Sequence, residues 1–177
     1  MFAESRHIFK LCPFSALCRR IVFPLFGFLF SLLALPTAGQ TTEILADHIH
    51  TLRLAVNGNA ALLPVIKLGS GDRLEVSFDD MTHEYRRYTY SLQHCERDFT
   101  PTESLFENEY VDAAAEEEVI EDYTESRATT TLYTHYSFEL PNARMRPLIA
   151  GNYLLTISGE DDEGEPEVVA RARFGII

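Results

Sequence analysis

The chain has 177 residues, of which 27 are acidic and 15 are Lys or Arg, and its formal net charge is −12. Hydrophobic residues make up 46% of the chain, which is enough for a packed core and excludes a wholly disordered protein. Three cysteines are too few for a disulfide scaffold, and the acidic balance argues against a general nucleic-acid binder, because phosphate neutralisation requires clustered Lys and Arg.

The first 39 residues have the order of a secretory signal peptide. A basic stretch ending at Arg20 precedes an uncharged apolar run at residues 21–35, and small residues follow it. As a helix this run would cover about 22 Å, which is shorter than a bilayer core of about 30 Å, and Pro24 and Gly27 interrupt it. We therefore expect an exported protein with residues 1–39 as signal peptide and residues 40–177 as the mature domain, rather than a membrane anchor.

The mature domain is expected to be more acidic than the whole chain. Residues 1–39 carry four basic residues and one acidic residue, so residues 40–177 have a net charge of −15. Cys95 is the one cysteine that remains after residue 39. An exported domain with one thiol has no internal disulfide, so its core must hold it together.

From Ile49 onward the sequence alternates between apolar and polar residues, with turn residues at short intervals. Leu74, Val76 and Phe78, for example, share one face of a predicted strand, and Asp79-Asp80 closes it. Residues 159–166 predict a hydrophilic hairpin tip, and residues 112–118 predict a loop or a short helical turn. The predicted strands lie at residues 49–56, 64–68, 73–78, 85–93, 130–140, 152–158 and 168–176.

These short strands predict an all-β fold, an antiparallel immunoglobulin-like β-sandwich of about seven to nine strands. The paired cysteines and the buried Trp of antibody domains are missing from the sequence. The likeness to an immunoglobulin domain is therefore expected in layout alone.

Few residues suggest catalysis or metal binding. His94 and Cys95 are neighbours on a predicted strand, so their side chains point to opposite faces and cannot form a nucleophile–base pair. A thiol enzyme would need His83 or His135 folded beside Cys95, and we favour a buried structural thiol instead. His48 and His50 share a face, but the sequence places no third ligand beside them, so we expect no metal site.

The aromatic stretch from Tyr85 to Tyr90 allows one alternative function. Exposed aromatic rings on a sheet face stack on sugars, so a carbohydrate-binding module is the alternative to a protein-binding module. Alternation, however, predicts that Tyr88 and Tyr90 point into the core.

Several phrases together resemble the N-terminal domain of the type IX secretion system plug proteins, over about residues 44–175. The most specific are His94-Cys95-Glu96-Arg97-Asp98-Phe99 and Tyr133-Thr134-His135-Tyr136. Phe99 stands where these proteins usually have Trp. The residues that carry the resemblance are His94, Cys95, Asp98, Phe99, Tyr133, His135, Tyr136, Asn152 and Tyr153.

The resemblance implies a non-enzymatic β-sandwich in the periplasm, peripheral to the outer membrane. Its partner would be the large outer-membrane β-barrel translocon, whose periplasmic opening it would close. We expect no cofactor, no small-molecule substrate and no nucleic-acid partner. Plug proteins continue beyond this domain, so we expect the chain to be a fragment or a truncated product.

Two groups of residues have expected roles in such a module. Arg86, Arg97, Glu107 and Asn108 are expected to be exposed, where they would suit a polar, reversible interface, although we favour the alternative that they are ordinary solvated surface. A second group is expected to form a buried hydrogen-bonding set that fixes strand register and loops. Its members are His94, Asp98, Tyr133, His135 and Asn152.

Overall fold

A computed structural model describes residues 41–161 and 164–177 of the chain. The predicted signal peptide, residues 1–39, lies outside the described residues. The described part contains twelve strands and one helical turn, and no helix in it is long and apolar enough to cross a membrane. The strands are β1 Thr42–Ile44, β2 Ile49–Val56, β3 Val65–Ile66, β4 Leu74–Asp80, β5 Thr89–Cys95, β6 Val111–Ala113, β7 Glu118–Val119, β8 Asp122–Glu125, β9 Thr134–Leu140, β10 Met145–Pro147, β11 Gly151–Glu160 and β12 Pro166–Ile176, and the helix is α1 Glu107–Tyr110.

The strands form two main sheets. The first sheet has the order β1-β12-β11-β5-β7, with β3 added to β12, and the second has the order β2-β4-β9-β8. Strands β10 and β6 form a separate two-stranded ribbon. All pairings are antiparallel except the short parallel contact of β3 with β12.

The core lies between the inner faces of the two main sheets. Tyr90 of β5 stacks on Phe138 of β9 with ring centroids 4.2 Å apart, and the two residues belong to different sheets. Phe78 of β4 and Tyr153 of β11 are fully buried in the same cluster. The prediction of an all-β antiparallel sandwich is therefore confirmed. Seven of the twelve strands have four or more residues, and the extra strands are short pieces of two or three residues.

A bulge interrupts the regular alternation that was predicted for β2. The register of β2 against β4 shifts between His50 and Arg53, and Thr51 has a φ of 58°. The extra residue lets both Ile49 and Leu52 point inward, although a strict period of two would place them on opposite faces.

Residues 112–118 were expected to form a loop or a short helical turn between two strands, and residues 114–117 form a loop between the short strands β6 and β7. The helical turn lies before them, in α1. Other predicted boundaries were wrong. Strand β5 begins at Thr89 and ends at Cys95, and β9 begins at Thr134. Asp79 and Asp80 belong to β4, since both pair with β9.

Candidate functional site

The loop that follows β5 is tied back to the end of that strand. Nδ1 of His94 lies 2.9 Å from Oγ1 of Thr102, and the Thr102 amide donates to the His94 carbonyl at 3.0 Å. Inside the loop, the Glu96 amide donates to the Thr100 carbonyl at 2.8 Å. Because these bonds close both the base and the middle of the loop, residues 96–102 form an ordered projection beyond β5.

Asp98 and Phe99 shape the tip of this projection. The Asp98 carboxylate accepts from the Thr100 amide at 3.2 Å and from the Thr100 hydroxyl at 2.7 Å, and these donors hold the pKa of Asp98 below its ordinary value. Phe99 has a φ of 63°, and the Arg173 guanidinium lies 5.3 Å from its ring centroid.

Strand β11 supports the same loop from the side. The Asn152 side-chain amide donates to the Glu96 carbonyl at 3.1 Å, and Asn152 pairs with Cys95 across the sheet. The His94 ring packs edge-on against Tyr153, with centroids 5.3 Å apart. The Tyr153 hydroxyl donates to the Ile149 carbonyl at 2.8 Å. The Tyr153 ring is therefore fixed by this hydrogen bond as well as by its contact with His94.

Cys95 is buried on the face opposite His94. The residue is 2% exposed, and its thiol contacts the Gln93 carbonyl at 3.6 Å. Burial raises the pKa of the Cys95 thiol, which keeps it protonated at neutral pH. His83 contacts the Tyr133 carbonyl and His135 contacts Asp79, so neither histidine is placed as a base for Cys95.

The Tyr-Thr-His-Tyr phrase lies on β9, in the other main sheet. Nδ1 of His135 lies 2.7 Å from the Asp79 carboxylate on the outer face of that sheet. Tyr136 points into the core, where its hydroxyl donates to the Arg86 carbonyl at 3.0 Å and accepts from the Arg86 amide at 2.9 Å. Burial raises the pKa of Tyr136 to about 12. Tyr133, in contrast, does not point into the core. It is partly exposed, and its main-chain amide donates to the Ser126 hydroxyl.

The prediction of a single buried hydrogen-bonding set was therefore wrong. Each of its five members makes hydrogen bonds, but Asp98 is exposed and the other four are partly exposed. His94, Asp98 and Asn152 hold the projecting loop, whereas Tyr133 and His135 act in the other sheet. The two groups are separate because β5 and β11 pair in one main sheet whereas β9 pairs in the other, and the sequence does not show which strands pair.

A buried network that the sequence reasoning missed lies around Asp80. This residue is fully buried, and its carboxylate accepts from the Tyr88 hydroxyl, the Thr82 hydroxyl and the Thr82 amide, each at 2.8 Å. Nε2 of His48 lies 3.3 Å from the Tyr88 hydroxyl. His48 lies in the turn before β2, and His50 contacts its neighbour's carbonyl instead. Alternation on β4, which places Asp80 on the same face as Phe78, was the signal that could have revealed this buried carboxylate.

The four residues expected to be exposed differ in their environment. Arg97 and Asn108 are exposed, whereas Arg86 and Glu107 are partly buried. Phe106, directly before α1, is 77% exposed. Of the tyrosines proposed for sugar stacking, Tyr88 and Tyr90 are buried in the core, at 1% and 3% exposure.

An open groove of about 680 Å³ lies between the outer face of the second main sheet and the segment around Arg144. Polar and charged side chains form most of its wall. The charged side chains that line it are Arg53, Glu75, Glu121, Asp122, Glu139 and Arg144.

Comparison with solved structures finds the same fold in a longer protein. A crystal structure of a hypothetical protein from Parabacteroides merdae has a TM-score of 0.70 and 31% sequence identity, and the match covers 77% of this chain. The chain spans about a third of the length of that protein, since the match covers 33% of it. A second match, to the Pseudomonas fluorescens alkylpurine DNA glycosylase AlkC bound to DNA, has a TM-score of 0.34 and 13% identity, and it covers 78% of this chain and 31% of that one.

No curated protein matches the chain significantly. Residues 49–177 match the family described as "Type 9 secretion system plug protein 1st domain". The matched range includes every strand from β2 to β12 and all the residues that carried the resemblance. The chain therefore belongs to the family of the first domain of type IX secretion system plug proteins.

Proposed function

We propose that this domain is a non-enzymatic protein-binding module of the periplasm, which contacts the outer-membrane β-barrel translocon of the type IX system and closes its periplasmic opening. The observation that carries the proposal is the family match across residues 49–177. A plug must be a stiff body, and a sandwich with one continuous core between two sheets meets that requirement.

The chemistry of the described residues supports a binding role over catalysis. The one cysteine among them is buried and has a raised thiol pKa, which suits a structural thiol rather than a nucleophile. The buried Asp80 carboxylate is satisfied by three donors, so it is held as a structural acceptor. The burial of Tyr88 and Tyr90 takes these two rings out of the proposed sugar platform, which counts against a carbohydrate-binding module, and leaves Tyr85 as its exposed ring.

We place the contact with the translocon on residues 96–110. This segment follows β5 and is anchored to it, because Thr102 bonds His94 and the Tyr110 ring lies 5.9 Å from the His94 ring. It presents the exposed Arg97, Asn108 and Phe106. One exposed aromatic ring with polar neighbours suits an interface that forms and releases.

The test is affinity purification of the tagged full-length gene product from solubilised outer membranes of its native bacterium. We expect a very large outer-membrane barrel protein among the partners. Deleting the gene is expected to leave the barrel open, so that cells become sensitive to a large antibiotic that the outer membrane normally excludes. Recovery of no barrel protein, or unchanged sensitivity of the deletion strain, would overturn the proposal.

A pair of matched variants tests the contact segment. Phe106→Glu should reduce recovery of the barrel, because it replaces the exposed aromatic ring of the segment with a charged side chain. Leu132→Glu is the control, since Leu132 is 47% exposed and lies just before β9, a strand of the second main sheet. Equal recovery with the two variants would place the contact elsewhere on the domain.

A further inference from the structure

Strand β8 is an open edge of the second main sheet. It is the last strand in the order β2-β4-β9-β8, and all four of its residues are exposed. The Ser126 amide donates to the Tyr133 carbonyl at 2.8 Å, so the hydrogen-bonded pairs with β9 continue at Thr124 and Asp122. The main-chain groups of Tyr123 and Glu125 therefore face outward, and no described residue pairs with them.

The opposite edge of the same sheet is protected. Strand β2 carries the bulge at Thr51, and a bulge twists an edge away from further pairing. Strand β8 has no bulge, no proline and no lysine. It is thus the edge of this sheet on which another strand can be added.

An aromatic surface borders the inner side of β8. The rings of Tyr85 and Tyr123 lie 4.8 Å apart, and they are 54% and 46% exposed. Tyr123 also packs against the buried Tyr136, with centroids 6.0 Å apart. This row of rings extends from the core to the edge and offers a fixed apolar contact to every second side chain of an added strand.

The outer side of β8 borders the groove, and its charge is negative. Four carboxylates line the groove against two guanidinium groups. One of those, Arg144, already bonds Glu121 at 2.7 Å and lies 3.8 Å from Glu118. Residues 116–125 contain six acidic residues and no basic residue. The edge therefore carries an excess of negative charge that a basic partner would complement.

We propose that the β8 edge binds an extended polypeptide segment of another protein, in which basic residues alternate with apolar residues. The segment would add a fifth strand to the sheet by bonding the main-chain groups of Tyr123 and Glu125. Its apolar side chains would cover Tyr85 and Tyr123, and its Lys or Arg side chains would reach the groove beside Asp122. This inference does not rest on the proposed function, since a domain that binds no barrel can still bind such a segment.

A second copy of the same chain does not fit this edge. Two β8 edges placed side by side would bring the six acidic residues of segment 116–125 in one copy close to those in the other, and like charges across an interface are destabilising. The acidic residues thus disfavour self-association and favour a basic partner with the same main-chain geometry.

The test uses the full chain and a synthetic peptide of about eight residues that alternates lysine and valine, with blocked ends. We expect binding with a Kd below about 1 mM. The amide hydrogens of Tyr123 and Glu125 should exchange more slowly when the peptide is bound, because they become hydrogen-bonded. A peptide that alternates glutamate and valine should not bind.

A matched pair of charge reversals locates the site. Asp122→Arg should weaken binding of the lysine–valine peptide by roughly threefold to tenfold, because it replaces an attractive contact with a repulsive one. Glu167→Arg changes the net charge equally at an exposed position of β12 in the other main sheet, and it should leave the Kd nearly unchanged. Both positions are exposed, so both variants should fold.

Three results would overturn the inference. The first is no binding of the lysine–valine peptide at about 1 mM. The second is an equal Kd for the Asp122→Arg and Glu167→Arg proteins, which would indicate a response to overall charge. The third is binding without added protection at Tyr123 and Glu125, which would place the peptide away from the β8 edge.

Discussion

At the scale of single residues, the contact between Gly151 and His94 explains how the end of β5 is shaped. A Cβ atom on Gly151 would lie 2.2 Å from Nε2 of His94, and Gly151 has a φ of 156°. The ring cannot move away freely, because Tyr153 packs against it and Thr102 bonds its other nitrogen. The absence of a side chain at residue 151 is thus what allows His94 to hold the loop.

We expect Gly151→Ala to destabilise the domain by about 2–4 kcal/mol, because it combines an unfavourable φ with a forced displacement of the ring. The measurement is the free energy of unfolding in urea, followed by circular dichroism. Gly69→Ala is the matched control. Gly69 has a φ of 70°, but a Cβ there would meet no atom within 4 Å, so its cost is expected to be about 1 kcal/mol. Equal losses in the two variants would contradict the role of the His94 contact.

The sequence identified the signature residues but not their partners. His94 was recognised within its phrase, whereas its bond to Thr102 and the support from Asn152 depend on a loop and on a strand more than fifty residues away. The expected burial of the set was wrong for the same reason, since burial depends on which segments cover a side chain. Cys95 was correctly predicted to be buried, but it lies outside the core cluster between the sheets, on the face of β5 opposite His94.

At the scale of elements, long strands were predictable and short ones were not. Alternation located β4, β5, β9, β11 and β12, since each buries one full face. Strands β6, β8 and β10 have three or four residues, which is too short for a period to be visible. They exist because neighbouring segments pair with them. Strand β8 forms the open edge of its sheet and one part of the groove wall, so neither feature could be predicted from the sequence.

The bulge in β2 leads to a prediction about strain in this element. Thr51 is β-branched and has a φ of 58°, a conformation that is costly for such residues. We expect Thr51→Gly to stabilise the domain by about 1 kcal/mol, since glycine adopts this φ freely. Urea unfolding measures the change. Thr156→Gly, in the regular strand β11, is the control and should destabilise by about 1 kcal/mol. A loss of stability in the Thr51→Gly protein would contradict the strain at the bulge.

At the scale of the whole molecule, five tyrosines belong to the core between the sheets. Burial raises the pKa of Tyr88, Tyr90, Tyr110, Tyr136 and Tyr153 above the ordinary value of 10.0. Their hydroxyl groups tie the core to loops; for example, the Tyr90 hydroxyl accepts from the Asn142 side chain at 2.8 Å. The two sheets are therefore joined by rings that are stable in the core only while they are uncharged.

This core predicts a loss of stability at alkaline pH. A tyrosine whose pKa is higher in the folded state favours folding at every pH below its unfolded pKa, and that contribution is lost as pH rises through the folded pKa. For Tyr136 and Tyr153 the folded pKa is raised to about 12, so their contribution to the free energy of unfolding should be constant below pH 10 and should fall between pH 10 and about pH 12. Each tyrosine contributes a slope of up to about 1.4 kcal/mol per pH unit.

Urea unfolding at a series of pH values tests this dependence, and Tyr153→Phe separates the tyrosine contribution from general charge repulsion. The variant should be less stable at neutral pH, because it loses the hydroxyl that donates to the Ile149 carbonyl at 2.8 Å and lies 3.2 Å from the Tyr110 carbonyl. Its stability should nevertheless fall less steeply above pH 10, by about the slope of one tyrosine. General repulsion in an acidic protein would act on both proteins alike, since the substitution does not change the net charge at neutral pH. If the free energy of unfolding fell equally steeply with pH in the two proteins, the loss of stability at alkaline pH would come from charge repulsion at the surface and not from the Tyr153 ring.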